Sequence, residues 1–190
     1  MKKSLTVLGL ALALVLSGCG TEASNKVTGQ NNNSNTGAHS DMDHSQMNHS
    51  SSGEVPTGLK EATNPTYKVG DEAIIEDAHM EGMKGATATI AGAYDTTAYV
   101  ITYTPTTGGE PVKHHKWVIH EEIKDAGDSP YESGAEVIVE ADHMPGMNGA
   151  SAMIESAEQM TVYMVDYTPT TGGDPVKNHK WVTESELSAK

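Results

Sequence analysis

Apolar and polar residues alternate along several short stretches in the second half of the chain. Residues 86–90 alternate Ala and Ile with Thr, and Tyr99, Ile101 and Tyr103 alternate with Val and Thr. A period of two residues is typical of a half-buried β-strand, and no stretch in this region keeps a helical period long enough to compete. The pattern therefore predicts an all-β fold whose strands are separated by turns at Gly and Pro.

The same region contains an internal duplication. Residues 67–123 align with residues 131–187 at a constant offset of 64 without a gap, which indicates two copies of one module. A module this short must curl its sheet to enclose a core and to hide its edges. The order of its strands and loops resembles SH3-like barrels, so we predict two tandem small SH3-like barrels. Their predicted strands are 72–76, 86–90, 99–103 and 116–119 in the first copy, and 136–140, 150–154, 161–168 and 180–183 in the second.

The start of the chain has the layout of an export signal. Lys2 and Lys3 precede an apolar run from Leu5 to Leu16, and Cys19, the single cysteine, follows Leu-Ser-Gly. The run is shorter than the roughly 20 apolar residues that span a bilayer. Leu-Ser-Gly-Cys resembles the lipobox of bacterial lipoproteins, so we predict a signal peptide at residues 1–18 and a covalent lipid such as palmitate on Cys19. The alternative is a secreted protein with a spare thiol.

Charge narrows the class of partner. Removal of residues 1–18 takes away two lysines and no acidic residue, which moves the formal charge from −14 to −16. So acidic a protein lacks the Lys and Arg that neutralise phosphates, and nucleic acid is excluded as a partner. It also has no attraction to anionic lipid, so attachment to a membrane would depend on acyl chains. Cations are the natural partners.

Residues 19–66 contain almost no large apolar side chain and are rich in Asn, Ser, Gly and Thr. Such a segment cannot bury enough surface to offset its ordering entropy, which predicts a disordered tether. Imidazole and thioether groups within it suit soft metal ions, above all Cu(I). The alternative is a polar spacer with incidental His and Met. The histidines recur every five residues, and so do the methionines. The candidate ligands are His39, Met42, His44, Met47 and His49.

A second candidate site lies in the two repeats. Glycines on either side of the methionines let each loop turn tightly, so that one imidazole and two thioethers could bind one soft ion. The alternative is that the methionines fill an irregular core. A histidine two residues before the Trp of each copy is either a structural residue or a fourth ligand. The candidate ligands are His79, Met80, Met83 and His115 in the first copy, and His143, Met144, Met147 and His179 in the second.

Sequence motifs give little support for catalysis. The sequence has no phosphate-cradling loop of Walker type and no His-Glu-x-x-His, and its acidic residues are interpreted as spread over the surface. We therefore expect a binding protein and not an enzyme.

The motifs together resemble one family. The lipobox, the His/Met-rich tether, and the tandem His-Met-x-Gly-Met-x-Gly-Ala, Tyr-Thr-Pro-Thr-Thr-Gly-Gly and His-Lys-Trp-Val strings are similar to the YdhK family of Gram-positive lipoproteins, which includes the copper-tolerance lipoprotein CopL. The resemblance implies a lipid-anchored protein at the extracellular face of the cell membrane. Such a protein binds copper, sequesters it or passes it on, limits its toxicity, and occurs in organisms that also export the metal. A copper exporter is therefore the expected protein partner, and we expect a monomer.

A hypothesis from another class remains open. Tandem SH3-like barrels could serve as an adhesion module for cell-wall peptide or glycan, with tyrosines lining a groove. Copper binding separates the two hypotheses, because only the first requires it. The tyrosines in question are Tyr99, Tyr103, Tyr163 and Tyr167.

Overall fold

The computed structural model describes residues 49–77 and 79–190. Their regular structure consists of β-strands and two single-turn 3₁₀ helices, His120–Glu122 and Glu184–Glu186, which confirms the all-β prediction. No helix in this part of the chain is long and apolar enough to cross a membrane. The strands are β1 (Lys60–Glu61), β2 (Glu72–Ile75), β3 (Thr87–Thr104), β4 (Val112–Ile119), β5 (Glu136–Ile138), β6 (Ser151–Tyr167), β7 (Val176–Thr183) and β8 (Leu187–Ala189).

Two long antiparallel strands form the centre of the sheet. β3 pairs with β6 along nearly its whole length, from Ala88 opposite Tyr167 to Thr104 opposite Ser151. The strand order is β5-β6-β3-β2-β8, with β1 and β4 also paired to β3 and β7 paired to β6. The sheet is open and does not close on itself, so the predicted SH3-like barrels are not confirmed.

The difference from the prediction arises in the middle of each repeat. The strands predicted at 86–90 and 99–103 are the two ends of one continuous strand, β3, and those predicted at 150–154 and 161–168 are likewise the ends of β6. Gly92, which suggests a turn in the sequence, stays in the ladder opposite Met164 and only shifts the register. The predicted barrels separate these strands by a turn, whereas β3 and β6 each continue through this region as one strand.

Because the long strands continue, each repeat contributes to both of the larger hydrophobic cores. The first core combines residues 73–93 of the first repeat with residues 163–187 of the second. The second core combines residues 99–123 of the first repeat with residues 137–154 of the second. The repeats at 67–123 and 131–187 are thus copies in sequence, but each core is built from half of each copy.

Candidate metal site

Because the cores combine halves of the two repeats, which we call the exchange of halves, histidines from both repeats lie in one open cleft of ≈ 990 Å³. Two of them lie in the loops that precede β3 and β6, and two lie on β4 and β7. A histidine from the loop of one repeat therefore meets a histidine from the strand of the other. The cleft histidines of the repeats are His79, His115, His143 and His179.

The first pair joins His79 to His179. Their Nε2 atoms are 3.2 Å apart, and the rings stack with centroids 5.4 Å apart. Burial, followed by repulsion from neighbouring histidines, holds the pKa of His179 well below its ordinary value. Burial also lowers the pKa of His79, against the opposing effect of Glu186. Both rings are therefore neutral at pH 7, which is the form of imidazole that binds metal ions.

The second pair joins His115 to His143. Their ring centroids are 6.4 Å apart with an interplanar angle of 34°. His143 Nε2 lies 2.8 Å from Glu122 Oε1 instead of facing the other imidazole. His115 packs against Tyr103 in the same way that His179 packs against Tyr167, so the two strand histidines share an equivalent tyrosine contact.

Two carboxylates near the loop histidines are buried, which the sequence did not predict. Glu122 is 3% exposed and Glu186 is 4% exposed, although acidic residues were expected at the surface. The indole Nε1 of Trp181 donates to Glu122 at 3.1 and 3.2 Å, and that of Trp117 donates to Glu186 at 2.9 and 3.1 Å. Each hydrogen bond joins one repeat to the other. The signal in the sequence is a Glu five residues after each Trp, in both copies.

The predicted methionine ligands separate into two groups. Met83 is fully buried in the first core and Met147 is fully buried in the second, which is the placement of core-filling side chains. Met80 and Met144 are half-buried and pack at the edges of the same two cores. Met144 also lines the cleft. In each repeat, therefore, the two predicted thioether ligands do not both lie beside the histidines.

Each methionine loop is held by the Tyr-Thr-Pro loop of the other repeat. Thr170 N donates to Gly82 O, and Thr106 N donates to Gly146 O, both at 2.9 Å. A Cβ added at Gly82 would lie 2.8 Å from Pro169 Cβ, closer than side chains approach. The Tyr-Thr-Pro-Thr-Thr-Gly-Gly runs, which the sequence suggests to be simple turns, therefore hold the loops that carry His79 and His143.

The end of the predicted tether docks beside the first pair. Ser51 N donates to Lys177 O at 2.9 Å, and Ser51 Oγ donates to Asn178 O at 2.7 Å. His49 lines the cleft, and its backbone hydrogen-bonds His179. The remaining tether ligands His39, Met42, His44 and Met47, together with Cys19 and the predicted signal peptide, lie outside the residues that the structure describes.

The cleft offers imidazole pairs and not a complete cage. Within residues 49–77 and 79–190, no three His, Cys, Asp or Glu side chains are arranged to hold one ion. The Nδ1 atoms of His79 and His143 are buried and have no hydrogen-bond partner among those residues. The 3.2 Å between the Nε2 atoms of the first pair is shorter than two metal–imidazole bonds of about 2.0–2.1 Å each, so one ion could bridge them.

The tyrosines proposed for an adhesion groove are core residues. All four are at most 4% exposed, so they cannot line an open groove for a peptide or glycan. Alternation of Tyr with Val and Thr identified strands correctly, but it could not tell which face of each strand is buried. The four are Tyr99, Tyr103, Tyr163 and Tyr167.

Comparisons with known proteins match both repeats. A family model described as "Protein of unknown function (DUF1541)" matches residues 69–120 and again 133–184. The uncharacterized protein YdhK of Bacillus subtilis (strain 168) is 60% identical over 189 residues, which cover 100% of this chain and 90% of YdhK. A crystal structure of YdhK at 2.00 Å resolution is 67% identical, with a TM-score of 0.74 over 77% of this chain and 100% of that one. The solution structure of the YdhK C-terminal domain is 69% identical, with a TM-score of 0.62 over 65% of this chain and 93% of that one.

Proposed function

We propose that this chain, which belongs to the DUF1541 family of proteins of unknown function, is a lipid-anchored copper-binding protein that sequesters copper or passes it on and so limits its toxicity. The resemblance to YdhK that the motifs indicated is confirmed by 60% identity along the whole chain. Likeness to CopL, the lipid anchor and the copper itself remain predictions. The extracellular face of the cell membrane is the proposed location.

The observation that carries the proposal is the pair formed by His79 and His179. Two neutral imidazoles with nitrogens 3.2 Å apart come from different repeats and lie in an open cleft, so they can act as two ligands of one metal ion once the hydrogen bond between them is released. The loop that carries His79 is held in place by the other repeat, because Thr170 N donates to Gly82 O.

Chemistry favours copper among the candidate ions. Imidazole binds copper, zinc, iron and nickel, whereas a thioether selects Cu(I). Met144 supplies a thioether at the cleft, and Met80 lies at the edge of the first core beside the loop histidine. Structural zinc prefers four Cys and His ligands, and the described part of the chain has no such cage. The formal charge of −14 attracts cations of any kind. A copper exporter is the proposed partner.

Titration with Cu(I) under reducing conditions tests the proposal. The full chain, purified in detergent, should bind Cu(I), and the double variant His79→Ala/His179→Ala should lose binding equivalents. His114→Ala is the matched control, because His114 is exposed and pairs with Glu155 at the surface. Equal stoichiometry in the parent and the double variant would exclude the first pair as a copper site.

Membrane attachment has a separate test. Cys19→Ala removes the thiol that a lipid would modify, so the protein should leave the membrane fraction or accumulate as an unprocessed precursor. Fractionation of cells that express the variant measures this directly. A variant that stays in the membrane fraction like the parent would contradict the lipid anchor.

A further inference from the structure

We propose that the two histidine pairs are unequal metal sites and that Glu122 is a positioning residue for the second pair. Its hydrogen bond fixes His143 so that Nδ1 is the atom that binds a soft or borderline cation. The proposal rests on the proposed copper function. It adds that the second pair is the tighter site, that His143 binds through Nδ1, and that Glu122 holds this imidazole in place.

The carboxylate of Glu122 acts as a hydrogen-bond acceptor. Trp181 Nε1 donates to it at 3.1 and 3.2 Å, and the backbone N–H of Ile119 donates at 3.1 Å. Both N–H groups donate to the carboxylate, so its oxygens act as acceptors. The contact of 2.8 Å with His143 Nε2 therefore requires the proton to be on that nitrogen.

The position of that proton defines the donor atom of His143. In a neutral imidazole with the proton on Nε2, Nδ1 carries the lone pair. His143 lines the cleft and its side chain is only 10% exposed. Its Nδ1 is buried and has no hydrogen-bond partner in residues 49–77 and 79–190. A buried polar atom of this kind calls for an explanation, and a bound cation supplies one. Metal-binding histidines commonly donate their other N–H to a carboxylate in this way.

The first pair has the same residues in a different arrangement. Glu186, which stands 64 positions after Glu122, accepts from Trp117 and lies 3.9 Å from Lys116 Nζ. His79, the equivalent of His143, directs its Nε2 to the Nε2 of His179. In this site one imidazole must give up its hydrogen bond to the other before both can bind a metal.

The docked N-terminal segment accounts for the difference. Lys180, the equivalent of Lys116, donates to the backbone carbonyl of Glu54. Its ammonium group is thereby held by Glu54, whereas that of Lys116 lies near Asp77 and Glu186. The segment docks on β7, and its hydrogen bonds to Lys177 and Asn178 give the two sites of a duplicated sequence different neighbours.

Two matched variants test the proposal. Glu122→Gln and Glu186→Gln each keep the shape of the side chain and remove its charge. Competition for Cu(I) against a chromophoric chelator should resolve a tighter and a weaker site in the full parent chain. Glu122→Gln should weaken the tighter site about 10–100-fold, the usual effect of removing such a partner, while Glu186→Gln should leave it unchanged. Equal effects of the two variants, or no effect of Glu122→Gln, would overturn the proposal.

A measurement on the unaltered chain covers the case in which a variant does not fold. Long-range ¹H–¹⁵N correlation spectra distinguish the two neutral tautomers of a histidine. His143 should carry its proton on Nε2 in the metal-free protein, and a proton on Nδ1 would overturn the proposal even if the chain binds copper. Absence of any Cu(I) binding by the parent would instead overturn the proposed function, and this inference with it.

Discussion

At the scale of single residues, burial separates the side chains that could bind metal from those that build the core. Met83 and Met147 are fully enclosed by apolar neighbours, and there a thioether behaves as a flexible apolar group. Met144 and the four cleft histidines share one opening. The ligand set that the sequence grouped by proximity along the chain is thus divided in space.

Replacing both buried methionines by Leu tests this division. Met83→Leu/Met147→Leu conserves volume and apolarity, so each change should cost under about 1.5 kcal/mol and leave Cu(I) stoichiometry unchanged. Thermal unfolding and Cu(I) titration measure the two effects. Met80→Leu/Met144→Leu is the matched pair and should weaken Cu(I) binding. Loss of copper by the first variant alone would return the buried methionines to the ligand set.

The tryptophan–glutamate contacts give a second prediction at this scale. Trp181→Phe removes the N–H that donates to Glu122, a hydrogen bond to a charged group that contributes about 1.5–3 kcal/mol, and the smaller ring leaves a cavity that adds to the loss. Trp117→Phe should cost less, because Trp117 is only half-buried whereas Trp181 is fully buried. Urea denaturation compares them, and equal losses would contradict a role for burial.

At the scale of elements, the sequence predicted what is local and missed what depends on the partner strand. Alternation located the ends of β3 and β6, and the duplication was visible as identical strings. Nothing local in residues 91–98 distinguishes a turn from a strand, because Gly92 permits both and pairing with β6 decides. The histidines were found because their residue type carries chemistry. Glu122 and Glu186 were missed because only the fold makes an ordinary Glu buried.

Two glycines in one loop allow a test of the contact between the methionine loop of the first repeat and the Tyr-Thr-Pro loop of the second. Gly82 and Gly85 both have φ of +77°, so Ala should cost about 1–2 kcal/mol at either position from backbone strain alone. Gly82→Ala should cost more, since its Cβ would meet Pro169 and Thr171, whereas Gly85 has open space around it. Thermal unfolding of the two variants measures the difference. Equal stability would mean that the Tyr-Thr-Pro loop does not hold the methionine loop.

At the scale of the whole molecule, both repeats contribute to the larger cores and to the candidate metal site. Each of the two larger cores combines the first half of one copy with the second half of the other. Each histidine pair likewise takes one member from each copy. The protein is therefore not two binding modules in series, and a single repeat lacks a complete core and a complete pair.

A chain of residues 67–123 alone tests this directly. It should not fold as a monomer, because the apolar surfaces of β3 would lack the residues of the second repeat that cover them. Size-exclusion chromatography with light scattering, together with circular dichroism, should show a disordered chain or a dimer with exchanged halves. A folded monomer rich in strand would contradict the shared cores.

Copper binding in the cleft is tested most directly by nuclear magnetic resonance of each histidine in the full chain while Cu(I) is added. Cu(I) is diamagnetic, so side-chain ¹H–¹⁵N spectra of imidazoles remain observable during a titration. Binding in the cleft predicts that resonances of His79, His115, His143 and His179 change with the first equivalents of copper, whereas exposed His114 does not respond. Changes confined to His39 and His44, with the four cleft histidines of the repeats unaltered at saturation, would contradict copper binding in the cleft.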